Sequence, residues 1–332
     1  MNLNQRELLF KSGYYNLDRN ENIDAEYLEQ LAKIQKKLNV VNAYPDYPEF
    51  TKKVASFFQV EPDEVMLTCG CTEAIKIAVD QYALPGNNIL YLEPTYSGAV
   101  DYLKKVPGYL YTLPGNTPMD DIVKFINEKD IRFFYLCNPN NPSGKLFSLD
   151  ELRKLEKCSA VTFIDESYFE FSGVTALPLI KSAWNIVIGR SFSKAWGLAG
   201  LRAGLIFSRP GMIKDMTNFK LKASFNAVSI QIITDLMKKY GLVLSSIERI
   251  KEGDKWLRKS LIECGYTIYN EPNVNFLVTD VTPKRLNDMK VLYKMVGDKT
   301  CFAVIPKSQA QKIFKFQGDV SAQSVLSSSP SQ

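Results

Sequence analysis

Ile186-Val187-Ile188-Gly189 runs straight into Arg190-Ser191-Phe192-Ser193-Lys194-Ala195, and Gly200-Leu201-Arg202-Ala203-Gly204 follows before the chain turns apolar again up to Phe207. A short apolar run that meets a turn of small polar residues is the pattern of a buried strand ending at a loop. A lysine held in an apolar, glycine-rich turn can have a lowered pKa and act as a nucleophilic amine. A lone lysine is also nearly always a solvated surface group. Lys194 therefore acquires meaning only from the segments around it.

Working outward, the same strand-then-loop pattern recurs. Apolar runs predict strands at Val65–Thr68, Ile89–Leu92, Tyr109–Leu113, Ile131–Leu136, Val161–Ile164, Ile186–Gly189 and Ala203–Phe207. Amphipathic stretches predict helices between several of them, at Thr72–Tyr82, Ser97–Lys105, Pro118–Asn127 and Ser148–Lys157. Strands alternating with helices imply an α/β fold with a mostly parallel sheet flanked by helices. Ligands in such folds sit beyond the carboxyl ends of the strands. Pro210–Lys222, Phe225–Tyr240 and Ser245–Cys264 read as helices and Val274–Thr279 as a strand. The expected organisation is an N-terminal segment (1–42) packing with the small domain, a large domain (43–240), a smaller α+β C-terminal domain (241–320) and a Ser-rich tail (321–332) that reads as disordered.

Three more loops follow predicted strands. Cys69-Gly70-Cys71-Thr72-Glu73-Ala74 enters a helix through a glycine turn, where free amides and the positive dipole end can hold a phosphate. An ordinary turn with Thr72 as N-cap reads the same way. Asn138-Pro139-Asn140-Asn141-Pro142-Ser143-Gly144 is a rigid loop that leaves asparagine side chains as placed donors. In Phe163-Ile164-Asp165-Glu166-Ser167-Tyr168 a carboxylate stands at the end of an apolar strand. Buried there, Asp165 needs a cationic partner; exposed, it is an N-cap.

Composition removes whole classes of chemistry. The chain has no histidine among its 332 residues, which excludes histidine triads and zincin motifs. Its 41 basic and 36 acidic residues give a net charge of +5, too mild to argue for nucleic acid. No apolar run predicts a membrane span. Cys69, Cys71, Cys137, Cys158, Cys264 and Cys301 form no C-x-x-C pair, so neither a zinc site nor any other metal centre is expected. Scattered thiols and a start, Met1-Asn2-Leu3-Asn4-Gln5-Arg6, without secretion-signal layout lead to an expected cytoplasmic location.

Taken in order and spacing, the four loops resemble those of the fold-type I, class I/II aminotransferases, and most of all the histidinol-phosphate aminotransferase-like branch; the similarity runs from about Asn16 to about Val278. The resemblance implies pyridoxal 5'-phosphate (PLP) as cofactor, bound to Lys194 as a Schiff base. It implies Asp165 at the pyridinium nitrogen and Asn141 and Tyr168 at the phenolic oxygen. Gly70, Cys71, Thr72, Ser191, Ser193 and Arg202 would hold the phosphate, and Tyr96 would stack on the ring. Tyr44 would reach the phosphate of a neighbouring subunit in a homodimer with shared sites. Asn20 matches the substrate-side N-terminal segment. Catalysis would fall to Lys194, Asp165 and Tyr168: a carboxylate beside the ring nitrogen keeps it protonated and the ring electron-withdrawing, while the freed lysine moves the α-proton. The implied reaction takes an amino group from an amino acid such as glutamate to a small oxo acceptor of the kind that carries phosphate.

The C-terminal end departs from this family. Its members usually close on a strand whose arginine clamps the substrate carboxylate; here no arginine follows Arg285, and Lys315 stands near the expected place. Lysine is a point charge without the arginine fork. A substrate without a clamped carboxylate, an altered end, or substitution by Lys315 each account for it. Three rivals remain: a PLP decarboxylase of a phosphorylated amino acid, a serine acyl-transfer enzyme using Ser191-Phe192-Ser193-Lys194, and a non-catalytic protein that keeps the fold. The acyl-transfer reading lacks its companion S-D-N and K-T-G motifs.

Overall fold

The computed structural model describes residues 12–35 and 44–315. They divide into two compact units, one of Ala25–Ile247 with Glu271–Val274, the other of residues up to Asp24 with Glu248–Asn270 and the chain from Asn275. The helix Ala25–Gln35 thus goes with the larger unit, where the sequence reading put residues 1–42 with the smaller one.

The larger unit is built on seven strands, β1 (Val65–Thr68), β2 (Asn88–Glu93), β3 (Tyr109–Pro114), β4 (Ile131–Cys137), β5 (Val161–Asp165), β6 (Ile186–Ser191) and β7 (Gly204–Phe207), in the order β1-β7-β6-β5-β4-β2-β3. Neighbours from β6 through to β3 are parallel, and β7 alone runs antiparallel to both of its neighbours. Thr68 pairs with Gly204 and Gly204 with Ser191, so β1 ends on the same edge as β6. β5 and β6 are buried along nearly their whole length, which is why they read as continuous apolar runs. β3, at the edge, alternates exposed and partly buried residues.

The helix Gly70–Tyr82 lies across one face and buries Ala74, Ile75 and Ala78 in a cluster with Phe133, Tyr135, Phe163, Val187 and Ile206. Two expected helices are shorter than their pattern. Leu149–Arg153 tightens into a 3-10 turn at Lys154–Lys157, and Pro210–Met216 does so at Thr217–Phe219. Helix ends commonly tighten this way to satisfy their last carbonyls.

The smaller unit holds an antiparallel sheet of β8 (Phe276–Thr279), β10 (Lys299–Ala303) and β9 (Lys294–Val296), in that order. Gly297, at φ +60°, and Asp298 form the two-residue turn between β9 and β10. A Gly-Asp pair was the available signal, but three-residue Lys-Met-Val is too short to show a period. The expected tail, 321–332, lies outside the described residues. Among the described residues no helix is long and apolar enough to cross a membrane.

Candidate active site

The carboxyl ends of β4, β5 and β6, with β1 alongside, form one edge. Asp165 closes β5 and is 3% exposed. Its Oδ1 accepts from the Ser167 amide at 3.0 Å, the Ser167 hydroxyl at 2.6 Å and the Cys71 thiol at 3.4 Å. Its Oδ2 accepts from the Tyr135 hydroxyl at 2.9 Å. Burial first, then the Asp165 charge, raise the Cys71 thiol and the Tyr135 phenol well above their ordinary pKa values, so both remain protonated donors. Asp165 is thus a buried carboxylate held at both oxygens, and the N-cap position of the next helix, Phe169–Ser172, is taken by Tyr168.

Lys194 follows β6 in the turn that ends at β7. Phe192 donates its amide to Ala203 at 3.1 Å, Leu198 donates to the Phe192 carbonyl at 2.9 Å, and Gly197 donates to the Lys194 carbonyl at 3.1 Å. The Lys194 ammonium stands 5.7 Å from the centre of the Tyr168 ring, itself 3% exposed, so the amine points toward the loop after β5. Ser191 Oγ accepts the Ser193 amide at 3.0 Å.

Of the residues named from sequence for the phosphate, Gly70, Cys71 and Arg202 lie close together. Gly70 opens the helix at φ +78°, and a Cβ there would stand 3.0 Å from Arg202 Nη2. Arg202 itself is left-handed at φ 52° and donates to the Ala199 carbonyl at 3.1 Å. A Cβ on Gly204 would lie 2.5 Å from the Gly70 carbonyl carbon and 2.7 Å from the Cys71 amide nitrogen. Only glycine lets β7 start so close to the helix N-terminus. Free amides, a positive dipole end and a guanidinium at one place fit a phosphate. A buried carboxylate, an amine and an anion cradle on one edge fit the cofactor that the sequence implied.

Tyr96 caps this place. Burial, above all, raises its phenol pKa. Its position comes from residues that sequence reading passed over. Asn140 Nδ2 donates to the Pro94 carbonyl at 2.9 Å and to Ser143 Oγ at 2.8 Å, while its Oδ1 accepts from Thr95 at 2.9 Å. Asn138 is spent on the loop itself, bonded to Phe147 at 3.1 and 2.7 Å. Asn141, with 9% exposure, is a buried member of the same loop. Tyr135 was also missed; parity could have found it, since Tyr135 pairs with Phe163 and Cys137 with Asp165 on adjacent strands, which sets all four on one face.

Beneath the site Arg190 Nε donates to Glu166 at 3.0 Å and Nη2 to Thr175 at 2.7 Å, with the guanidinium 3.8 Å from the Phe169 ring centre. Trp196 Nε1 donates to Glu170 at 2.8 Å, and the Trp196 carbonyl accepts from Tyr27 at 2.7 Å. Trp196 lies two residues past Lys194 and Glu170 two past Tyr168, so this bond fastens the two loops together. Tyr44 is 90% exposed. Asn20 and Lys315 belong to the smaller unit. Asn20 is buried at φ 54°, and its carbonyl accepts from Asn275 at 3.1 Å. The Lys315 carbonyl accepts from Arg285 at 2.7 Å.

Comparison with known proteins agrees with this chemistry. A histidinol-phosphate aminotransferase of Caldanaerobacter subterraneus subsp. tengcongensis is 27% identical over 234 residues, covering 68% of this chain and 66% of the relative, so the match spans about two thirds of that relative's length. Among solved structures, the histidinol-phosphate aminotransferase of Sinorhizobium meliloti in complex with pyridoxal-5'-phosphate superposes with TM-score 0.79 at 16% identity, over 90% of this chain and 88% of that one. The L-threonine-O-3-phosphate decarboxylase of Porphyromonas gingivalis gives TM-score 0.76 at 20% identity, over 89% and 96%. At such identities the structures show the shared fold. The family model described as aminotransferase class I and II matches residues 5–309, and the chain belongs to that family of PLP-dependent enzymes.

Proposed function

We propose that this protein moves an amino group from an amino-acid donor, glutamate first, to a small oxo acceptor that carries phosphate. The observation that carries the reading is Asp165, buried and held at both oxygens one strand from the turn that presents Lys194. When bound, PLP supplies an electron sink for charge released at the substrate Cα. Lys194 holds the cofactor covalently and, once freed, carries the proton to and from Cα through its Nζ. Asp165 keeps a positive ring nitrogen paired. Asn141 and Tyr168 orient the phenolic side, and Tyr96 covers the ring and excludes water. Gly70, Cys71 and Thr72 offer amides to the phosphate; Ser191, Ser193 and Arg202 complete its shell. Asn20 and Lys315 serve the substrate side.

Two chains form the working unit in this proposal. Tyr44, almost wholly in water in the single chain, reaches the partner's phosphate. Phosphate on the acceptor is supported by the histidinol-phosphate relatives. A second reading is decarboxylation of a phosphorylated amino acid, the activity named for the Porphyromonas gingivalis structure that shares this fold.

Purified protein saturated with PLP should show a visible cofactor band that bleaches on addition of L-glutamate and returns with an oxo acceptor. Carbon dioxide release without keto-acid formation would select the decarboxylase. Absence of any cofactor band would sink both readings.

A further inference from the structure

On the PLP reading Asp165 is the group that faces the ring nitrogen, and two side chains beyond Ser167 hold its oxygens. Tyr135 lies on β4, 0% exposed, and directs its hydroxyl to Asp165 Oδ2 at 2.9 Å. Cys71, in the first turn of the helix Gly70–Tyr82, is 7% exposed and directs its thiol to Oδ1 at 3.4 Å. The helix can come this near because Gly189, level with Asp165 on β6, has no side chain: a Cβ there would lie 2.9 Å from Cys71 Sγ. Phe163, stacked on the Tyr135 ring with centroids 6.2 Å apart, fixes the phenol from the side.

Resting on the PLP reading above, we propose that Tyr135 and the Cys71 side chain are positioning residues that clamp the two oxygens of Asp165 and so keep the proton on the cofactor ring nitrogen. The physical reason is a competition between two bases. Asp165 and the ring nitrogen share one proton, and each hydrogen bond donated to the carboxylate stabilises its charged form and weakens its claim on that proton. Tyr135 acts on Oδ2. Cys71 reinforces Ser167 on Oδ1 through a weaker S–H donor. The Cys71 backbone amide remains available to the phosphate, so one residue links the anion cradle to the carboxylate.

Tyr135→Phe keeps the ring and its stacking on Phe163 and deletes only the hydroxyl. Cys71→Ala keeps the backbone amide and deletes only the thiol. The readout is the pH titration of the visible band of bound PLP, followed without substrate, together with the PLP dissociation constant. Loss of a donor returns the proton toward Asp165, leaves the ring a weaker sink and raises the midpoint of that band. A hydrogen bond to a charged group supports an upward shift of at most about one to two units in Tyr135→Phe and a smaller upward shift in Cys71→Ala. The dissociation constant should change by less than about threefold if the phosphate cradle carries most of the affinity. Midpoints that coincide with wild type in both variants, with the band intact, overturn the clamp and leave the PLP reading standing. A wild-type protein without a cofactor band overturns both. Should Tyr135→Phe fail to fold, the Cys71→Ala midpoint decides alone.

Discussion

Glu170→Gln should make the protein more stable at alkaline than at acid pH relative to wild type. Burial, only partly offset by Arg190 and by the bonds to the carboxyl, pushes Glu170 from 4.5 up to about 7. A raised folded-state pKa contributes stability that is present below the unfolded value and lost as pH rises through the folded one. For Glu170 that window runs from 4.5 to about 7. One pKa unit corresponds to about 1.4 kcal/mol, so wild type loses about 3 kcal/mol across it, a loss that a group without a proton to release does not share. Glutamine keeps the oxygen that accepts from Trp196 at 2.8 Å, so the hydrogen bond survives the exchange. Urea denaturation of both proteins, saturated with PLP, at pH 5, 6, 7 and 8 gives the difference directly. The variant should gain on wild type steadily up to about pH 7 and then level off. A difference that stays flat from pH 5 to 8 would refute the reasoning, because it would mean that Glu170 titrates alike in the folded and unfolded chains.

Other outcomes follow from neighbouring groups. Glu166→Ala leaves Arg190, whose side chain is 5% exposed, without its carboxylate and should cost about 3–5 kcal/mol in denaturation; Lys76→Ala breaks an exposed helix pair with Asp80 and should cost less than about 1 kcal/mol. In Gly204→Ala the new Cβ meets the backbone of Gly70 and Cys71 at 2.5–2.8 Å, so the cradle must open. PLP titration should show affinity weakened by about tenfold or more, the equivalent of a single lost charge-assisted hydrogen bond. Lys315→Ala should raise the KM for the amino donor if Lys315 stands in for the family's arginine; an unchanged KM excludes that substitution.

Periodicity and loop chemistry carried most of the larger unit. Most of the strands, β3 at the edge excepted, are buried along nearly their whole length and so read as apolar runs, and the loops that carry Asp165, Lys194 and Gly70 each start where such a run stops. The absence of histidine, a matter of composition, confined proton transfer to lysine, tyrosine, cysteine and the carboxylates. The resemblance then attached roles to residues that were individually ambiguous. Asp165 alone could have been a helix cap, and Lys194 alone a surface lysine.

Tertiary structure decided what depends on neighbours far apart in the chain. Tyr135 and Cys71 are separated from Asp165 by 30 and 94 residues, and no local pattern announces that a phenol and a thiol will meet one carboxylate. The thiol reaches it only because Gly189 has no Cβ. Asn140 looked equivalent to Asn138 and Asn141, yet it is the residue that ties the loop to Thr95 and hence to Tyr96. The short strand β9 exists because a Gly-Asp turn folds it onto β10, which itself pairs with β8, a pairing energy invisible in three or five residues of sequence. Local sequence determines where a strand ends and what chemistry waits there; which side chains converge on that chemistry is fixed only when the sheet register and the helix above it bring their faces together.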